Sequence, residues 1–172
     1  LLLRVRTLSK PVIAAVNGAA VGIGCSLALA CDMLIASESA YFLLAFVNIG
    51  LALDGGATLL LPGLVGHARA FEIAYTGERL PAAKALEWGL VNQVVAPDQL
   101  ESAAGELAKR FAAGPPGSYS GIKRMINAAA YAEFEQHLDA EAVIQQERAE
   151  SADFIEGVVA FTQKRPALFT GA

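Results

Sequence analysis

Residues 11–31 contain no charged side chain, yet the run is broken by Pro11, Asn17, Gly18, Gly22 and Gly24. A membrane-spanning helix needs about 20 unbroken, mostly apolar residues. Proline and glycine at this density divide the run into strand, turn and helix instead. Val12-Ile13-Ala14-Ala15-Val16, bounded by Pro11 and Asn17-Gly18, is predicted as a strand buried on both faces. After the glycine turn, Gly24 to Cys31 is predicted as a short apolar helix, and Asp32 to Ala36 as a second strand. Ser37-Glu38-Ser39 then turns the chain into another extended run, Tyr41 to Phe46. Strand, helix and strand in this order predict an α/β architecture.

Beyond Gly55 the pattern becomes helical. Thr58 to Val65 and Ala68 to Tyr75 are predicted as two helices, and Pro81 opens a third that runs to Trp88 and stops at Gly89. Val91 to Val95 reads as one more strand. Asp98 to Ala112 is an amphipathic helix that ends at Gly114-Pro115-Pro116-Gly117, the clearest breaker in the chain. Three further helices follow, Tyr119 to Ala130, Phe134 to Glu150 and Phe154 to Lys164, each with charge on one face and Ile, Val, Phe and Leu on the other. Pro115 accordingly separates an expected α/β core, residues 1–114, from an expected helical C-terminal unit, residues 115–172.

Composition narrows the classes of partner. Over 172 residues, 55% are hydrophobic and only 17% charged, a balance that predicts apolar area covered between subunits. A net charge of -4 with no basic stripe argues against nucleic acid. Cys25 and Cys31 form no CxxC pair, and no His stands at metal spacing, so both read as reduced, buried cysteines of a cytoplasmic protein with no bound metal. LLLRVRTLSK has no small-residue cleavage site and does not read as a signal peptide. The chain opens on Leu1 in mid-pattern and reads as a fragment of a longer fold.

Two short constellations carry chemistry. Gly18, Gly22 and Gly24 lie between a strand and a helix, where backbone amides can approach an anion. A dinucleotide loop with Glu38 as ribose ligand fits poorly, because the spacing is GxxxGxG and Leu27 stands where the third glycine belongs. The remaining readings are a tight helix–strand turn and an oxyanion donor. Asp54, in Leu53-Asp54-Gly55-Gly56, is either the N-cap of the helix that follows or a base beside that donor. A carboxylate tied to backbone N–H groups is the poorer base, so the two roles compete. His67 and His137 read as solvated residues, and Ser26 has no neighbouring base to make it a nucleophile. Lys123-Arg124 and Lys164-Arg165 read as solvated faces, although either pair has the reach to contact a phosphate.

The segment KPVIAAVNGAAVGIGCSLALACD resembles the signature of the crotonase superfamily, the enoyl-CoA hydratase/isomerase proteins. The likeness continues through AYFLLAFVNIGLALDGG, LPGLVGHARAFEIAYTGERLPAAKALEWGLVNQVV and DFIEGVVAFTQKRPALFTG. It implies an α/β spiral of strand-strand-helix turns, N-terminally incomplete here, with a helical C-terminal oligomerisation unit, and a homotrimer or hexamer. It also implies a coenzyme A thioester as substrate and no cofactor, with the thioester oxygen held by two backbone N–H groups. Carried over, one of those N–H groups belongs to Ile23; the other would come from a loop preceding residue 1. Ser26 and Phe46 stand where the hydratases carry their two glutamates, so hydration by the usual route is not expected. Asp54 matches the acidic residue of the single-carboxylate enoyl-CoA and epoxyphenylacetyl-CoA isomerases, although Leu53 replaces a common proline. The resemblance therefore implies Asp54 as catalytic base, Ser26, Phe46, Leu53 and Gly55 around the substrate pocket, and Lys164 near the coenzyme A nucleotide. It leaves a non-catalytic acyl-CoA binder and an atypical hydratase as alternatives.

Overall fold

The computed structural model describes residues 1–172. The uncharged run becomes three elements: β1 (Ile13–Val16), β2 (Ala19–Val21) and α2 (Ile23–Leu29), preceded by the short helix α1 (Leu2–Thr7). β3 (Met33–Ser37) and β4 (Tyr41–Leu43) follow, then a 3-10 turn at Val47–Ile49. β2 and the two-residue strand at Leu80–Pro81 are absent from the sequence reading; two or three residues are too few to show an alternation.

The strands form two small sheets that the chain visits in turn. β1 and β3 pair in parallel, with Ile13 opposite Met33, and β3 pairs in parallel with β6 (Gln93–Val95). β2 and β4 pair in parallel in the second sheet, and β5 (Leu80–Pro81) closes it antiparallel to β4. β1 to β4 thus alternate between the sheets, helices return the chain after β2, β4 and β5, and the path is a spiral. β1 lies at the edge of its sheet and is only half-buried, with Ala15 exposed, so the expectation of burial on both faces is corrected. Its one paired edge and small side chains leave part of it open.

Helices α3 (Ala57–Val65), α4 (His67–Thr76) and α5 (Ala82–Glu87), with Trp88 just after it, bring Leu60, Leu61, Ile73 and Trp88 into one core with Leu29, Leu34, Phe42 and Leu44. Each such fully buried side chain contributes about 1.5–3 kcal/mol relative to exposure. Pro81 sits at the N-cap of α5 and in β5, one position before the first turn in which it was expected. α6 (Leu100–Ala112) leads to the breaker, and α7 (Pro116–Ala130) starts inside it. Pro116 occupies the first helical position, where its missing N–H costs nothing. α8 (Phe134–Ala149) and α9 (Ala152–Thr162) complete the chain. No helix is long and apolar enough to cross a membrane.

The helices after Pro115 are fastened to the spiral by polar contacts. Lys123, read from sequence as solvated, is 8% exposed. Its Nζ donates to Asp32 Oδ2 at 2.7 Å and to the carbonyls of Val5 (2.9 Å) and Lys10 (3.3 Å). Asp32 also accepts from the Val12 N–H at 2.8 Å. Arg6 lies beside this carboxylate and stacks over the Tyr131 ring. α8 departs further from expectation: Val143 and Ile144 are exposed, while Glu141 on the same helix is 4% exposed.

Candidate active site

The turn Leu53-Asp54-Gly55-Gly56 packs directly on the N-terminus of α2. Gly55 has φ of 77°, and a Cβ there would fall 2.7 Å from both Ile23 Cδ1 and Ser26 Cβ. No side chain fits, and only glycine tolerates that backbone conformation readily. Gly55 therefore brings the Asp54 turn against Ile23, the first residue of α2. The N–H of a first helical residue has no acceptor one turn back. Those of Cys25 and Ser26 are already bonded to the Gly22 carbonyl, at 2.9 and 3.1 Å.

Ser26 is fully buried, and its hydroxyl donates to the Asp54 carbonyl at 2.7 Å. It fixes the Asp54 backbone and supports the wall of the site from behind. Phe46 is also buried, and Leu53 is half-buried. The Asp54 side chain is half-buried; its Oδ1 accepts the Gly55 N–H at 2.6 Å, and Oδ2 takes no hydrogen bond from the protein. Asp54 is not the N-cap of α3. Gly56 occupies that position, and the N-terminal amides of α3 are met from another helix. Glu141 Oε2 accepts the Gly56 N–H at 2.6 Å, and Oε1 accepts both the Thr58 N–H at 2.9 Å and its hydroxyl at 2.6 Å. One turn later on α8, Gln145 Oε1 accepts the Ala52 N–H at 3.1 Å.

Glu141 and Gln145 are the site residues that sequence reasoning missed. Their signal is the spacing Phe134, Leu138, Glu141, Gln145, which places both polar residues in line with the apolar stripe of α8. The other named residues lie elsewhere. Lys164 is exposed just beyond α9, with φ of 53°. His67 is exposed, whereas His137 is half-buried, which corrects its reading as solvated. Both imidazoles line an apolar cavity of about 490 Å³ between α3, α4 and α8. Leu53 and Glu141 line this cavity, whereas Asp54 and Ile23 do not. Cys25 and Cys31 are unpaired; Cys31 is only half-buried, which corrects its reading as buried. Burial pushes the Cys25 thiol up to about 12 and raises that of Cys31, so neither is a nucleophile at neutral pH. No group of three or more His, Cys, Asp or Glu side chains is arranged to hold a metal.

A spiral of strands visiting two small sheets is a fold shared with known proteins. The enoyl-CoA hydratase/isomerase family model matches residues 1–172, and the chain belongs to this family. It is 41% identical over 166 residues to trans-2-decenoyl-(acyl-carrier-protein) isomerase of Streptococcus mutans, a match covering 96% of this chain and 63% of that protein. Identity to 1,2-epoxyphenylacetyl-CoA isomerase of Escherichia coli is 45% over 168 residues, covering 98% of this chain and 64% of the relative. Among solved structures, an enoyl-CoA hydratase from Mycobacterium avium subsp. paratuberculosis superimposes with a TM-score of 0.96 at 44% identity, over 99% of this chain and 69% of that one. The fold is that of the crotonases, as the resemblance implied. The chain spans just under two thirds of the length of these two curated relatives, 63% and 64%.

Proposed function

We propose that this chain carries the single-base site of an acyl-CoA isomerase, which shifts a double bond through a thioester enolate. The observation that carries the reading is the packing of Gly55 on Ile23 and Ser26, which brings the turn carrying Asp54 against the N-terminal end of α2. Asp54 Oδ2 removes the proton from the carbon alpha to the thioester of a 3-enoyl-CoA. The C–H electron pair moves into the enolate, and charge collects on the thioester oxygen at the Ile23 N–H. Asp54 then returns the same proton to the gamma carbon; the double bond closes between the alpha and beta carbons, and the carbonyl re-forms. Nothing is oxidised, and no water is added.

A single carboxylate is enough for this sequence, and the surroundings support only one. Ser26 and Phe46 are both buried and neither can act as a second acid. Both Glu141 oxygens are occupied by donors from Gly56 and Thr58. The names of the two curated relatives, both isomerases, point the same way. Lys164 is placed here as a contact for the nucleotide end of coenzyme A, and the protein as a homotrimer or hexamer.

The test is isomerisation of 3-hexenoyl-CoA by the intact protein and its Asp54→Asn variant, followed by ultraviolet absorbance of the conjugated product. The variant is expected to lose at least a hundredfold in kcat, the scale of a positioned acid–base catalyst. A variant as fast as the parent removes Asp54 from the mechanism.

A further inference from the structure

The segment that carries Asp54 has no regular structure of its own. Residues 51–56 run between a 3-10 turn and α3 with no strand partner, and Gly55 and Gly56 both hold φ near 80°, at 77° and 78°. Such a segment leaves its amides to be satisfied from outside. Two residues before Asp54, the Ala52 N–H meets Gln145 Oε1; two residues after it, the Gly56 N–H meets Glu141 Oε2. Both acceptors come from one rigid helix and stand one turn apart. Ser26 holds the carbonyl of Asp54 itself, between these two points.

We infer that Glu141 and Gln145 are positioning residues for the Asp54 carboxylate: α8 grips the loop on either side of the base and sets where its free oxygen points. The inference rests on Asp54 being the base, and it adds that the precision of the site is supplied by a helix 83–93 residues away in sequence. Glu141 is suited to the task because a carboxylate has acceptor capacity for three donors at once. It also lies at the N-terminal end of α3, where negative charge is favoured. α8 is itself fixed against the turn, since the Phe134 ring fills the space that a Gly56 side chain would need. All of their hydrogen bonds here go to the loop and to Thr58 in the first turn of α3.

Three variants of the intact protein test this, with 3-hexenoyl-CoA as substrate and Asp54→Asn as reference. Glu141→Gln turns an amide donor towards a backbone donor and breaks one grip. Gln145→Leu removes the other, and Gln145→Glu keeps an acceptor in the same place. A displacement of about 1 Å costs on the order of a hundredfold in rate. Glu141→Gln is therefore expected to lower kcat by roughly that factor, with KM changed less than about threefold because contacts to the thioester are untouched. Gln145→Leu should lose about tenfold in kcat, and Gln145→Glu should run close to the parent. Hydrogen–deuterium exchange at the alpha carbon of the substrate should fall in parallel, and melting curves give the folded fraction to which rates are normalised. If Asp54→Asn is inactive but folded Glu141→Gln and Gln145→Leu keep the parental kcat, or lose only in KM, the positioning role is overturned and the base stands. If Asp54→Asn matches the parent, or the parent has no turnover, the base reading falls and this inference falls with it.

Discussion

Three carboxylates near the centre of this chain differ in how many donors each meets, and that difference assigns their work. Glu141 accepts three hydrogen bonds and Asp54 accepts one, from its own neighbour. An oxygen without a protein donor is free to take a proton, and one already holding two donors is not. Asp32 is the third case: it is bound by Lys123, Val12 and, at 3.8 Å, Arg6, and it ties α7 to the spiral. Removing one partner of a buried ion pair costs about 3–5 kcal/mol, because the other charge stays buried. Lys123→Met is expected to destabilise the protein by about 3 kcal/mol, near the lower end since Asp32 keeps Arg6 and the Val12 N–H. In thermal unfolding this is a loss of roughly 6–12 °C. Arg124→Met, one residue along on the exposed face, should change stability by less than about 0.5 kcal/mol. Equal effects at the two positions would mean that Lys123 has no special part in fastening α7.

At the level of elements, the end of the chain is held by two carboxylates of α9. Glu156 forms a two-bonded pair with Arg165, at 2.5 and 2.8 Å, and accepts the Leu168 N–H at 2.9 Å. The Arg165 bonds foremost, then that of Leu168, lower its pKa to about 2. Asp153 lies below the ordinary carboxylate range, chiefly through the Thr170 N–H. A lowered pKa contributes stability above the unfolded value of about 4, and loses it as pH falls towards the folded one. The tail from Arg165 to Gly171 should therefore stay docked from neutral pH to about 4.5 and release between there and about 2. Amide exchange at Leu168, Thr170 and Gly171 reads this directly; Glu156→Gln should weaken the Leu168 protection at neutral pH, and a release centred above pH 6 would contradict the assignment. Elements of this kind were only partly legible in the sequence. Helices with long periodic stripes, such as α4 and α6, lie within a few residues of expectation, and so does the glycine turn before α2. β2 was too short to register. α8 differs from expectation because its buried face combines Phe134 and Leu138 with Glu141, while Val143 and Ile144 are exposed. Asp54 was visible as a candidate from its turn and its family pattern. Its supports at Glu141 and Gln145 were not, because a pairing across 83 or more residues leaves no mark in local periodicity.

The whole molecule buries only 36 of its 172 residues, and the C-terminal helices carry much of the apolar surface left over. On α7, Ile122, Met125 and Ile126 are 55%, 74% and 54% exposed, and on α9 Ile155, Val158 and Phe161, at successive spacings of three, are 62%, 38% and 74% exposed. Isolated exposed apolar residues are ordinary, but side chains three and four positions apart on one helix share a face. Such faces on a chain of mean hydropathy +0.45 are what subunit contacts cover. The proposed homotrimer or hexamer accounts for them, and it also bears on the site. α9 packs its Gly157 against the backbone of Ile49, and Gly50 packs against the backbone of Asp153. α8 grips the loop that follows. Contacts that steady α7 to α9 would therefore steady the segment leading into Asp54 as well. Sedimentation velocity of the intact protein is expected to show a trimer or a multiple of it, with Met125→Glu and Phe161→Glu shifting the population towards monomer. Isomerase activity per chain should fall with the same concentration dependence as dissociation. A parent that sediments as a monomer at micromolar concentration would refute the assembly; variants that dissociate with undiminished activity would uncouple it from the Asp54 loop.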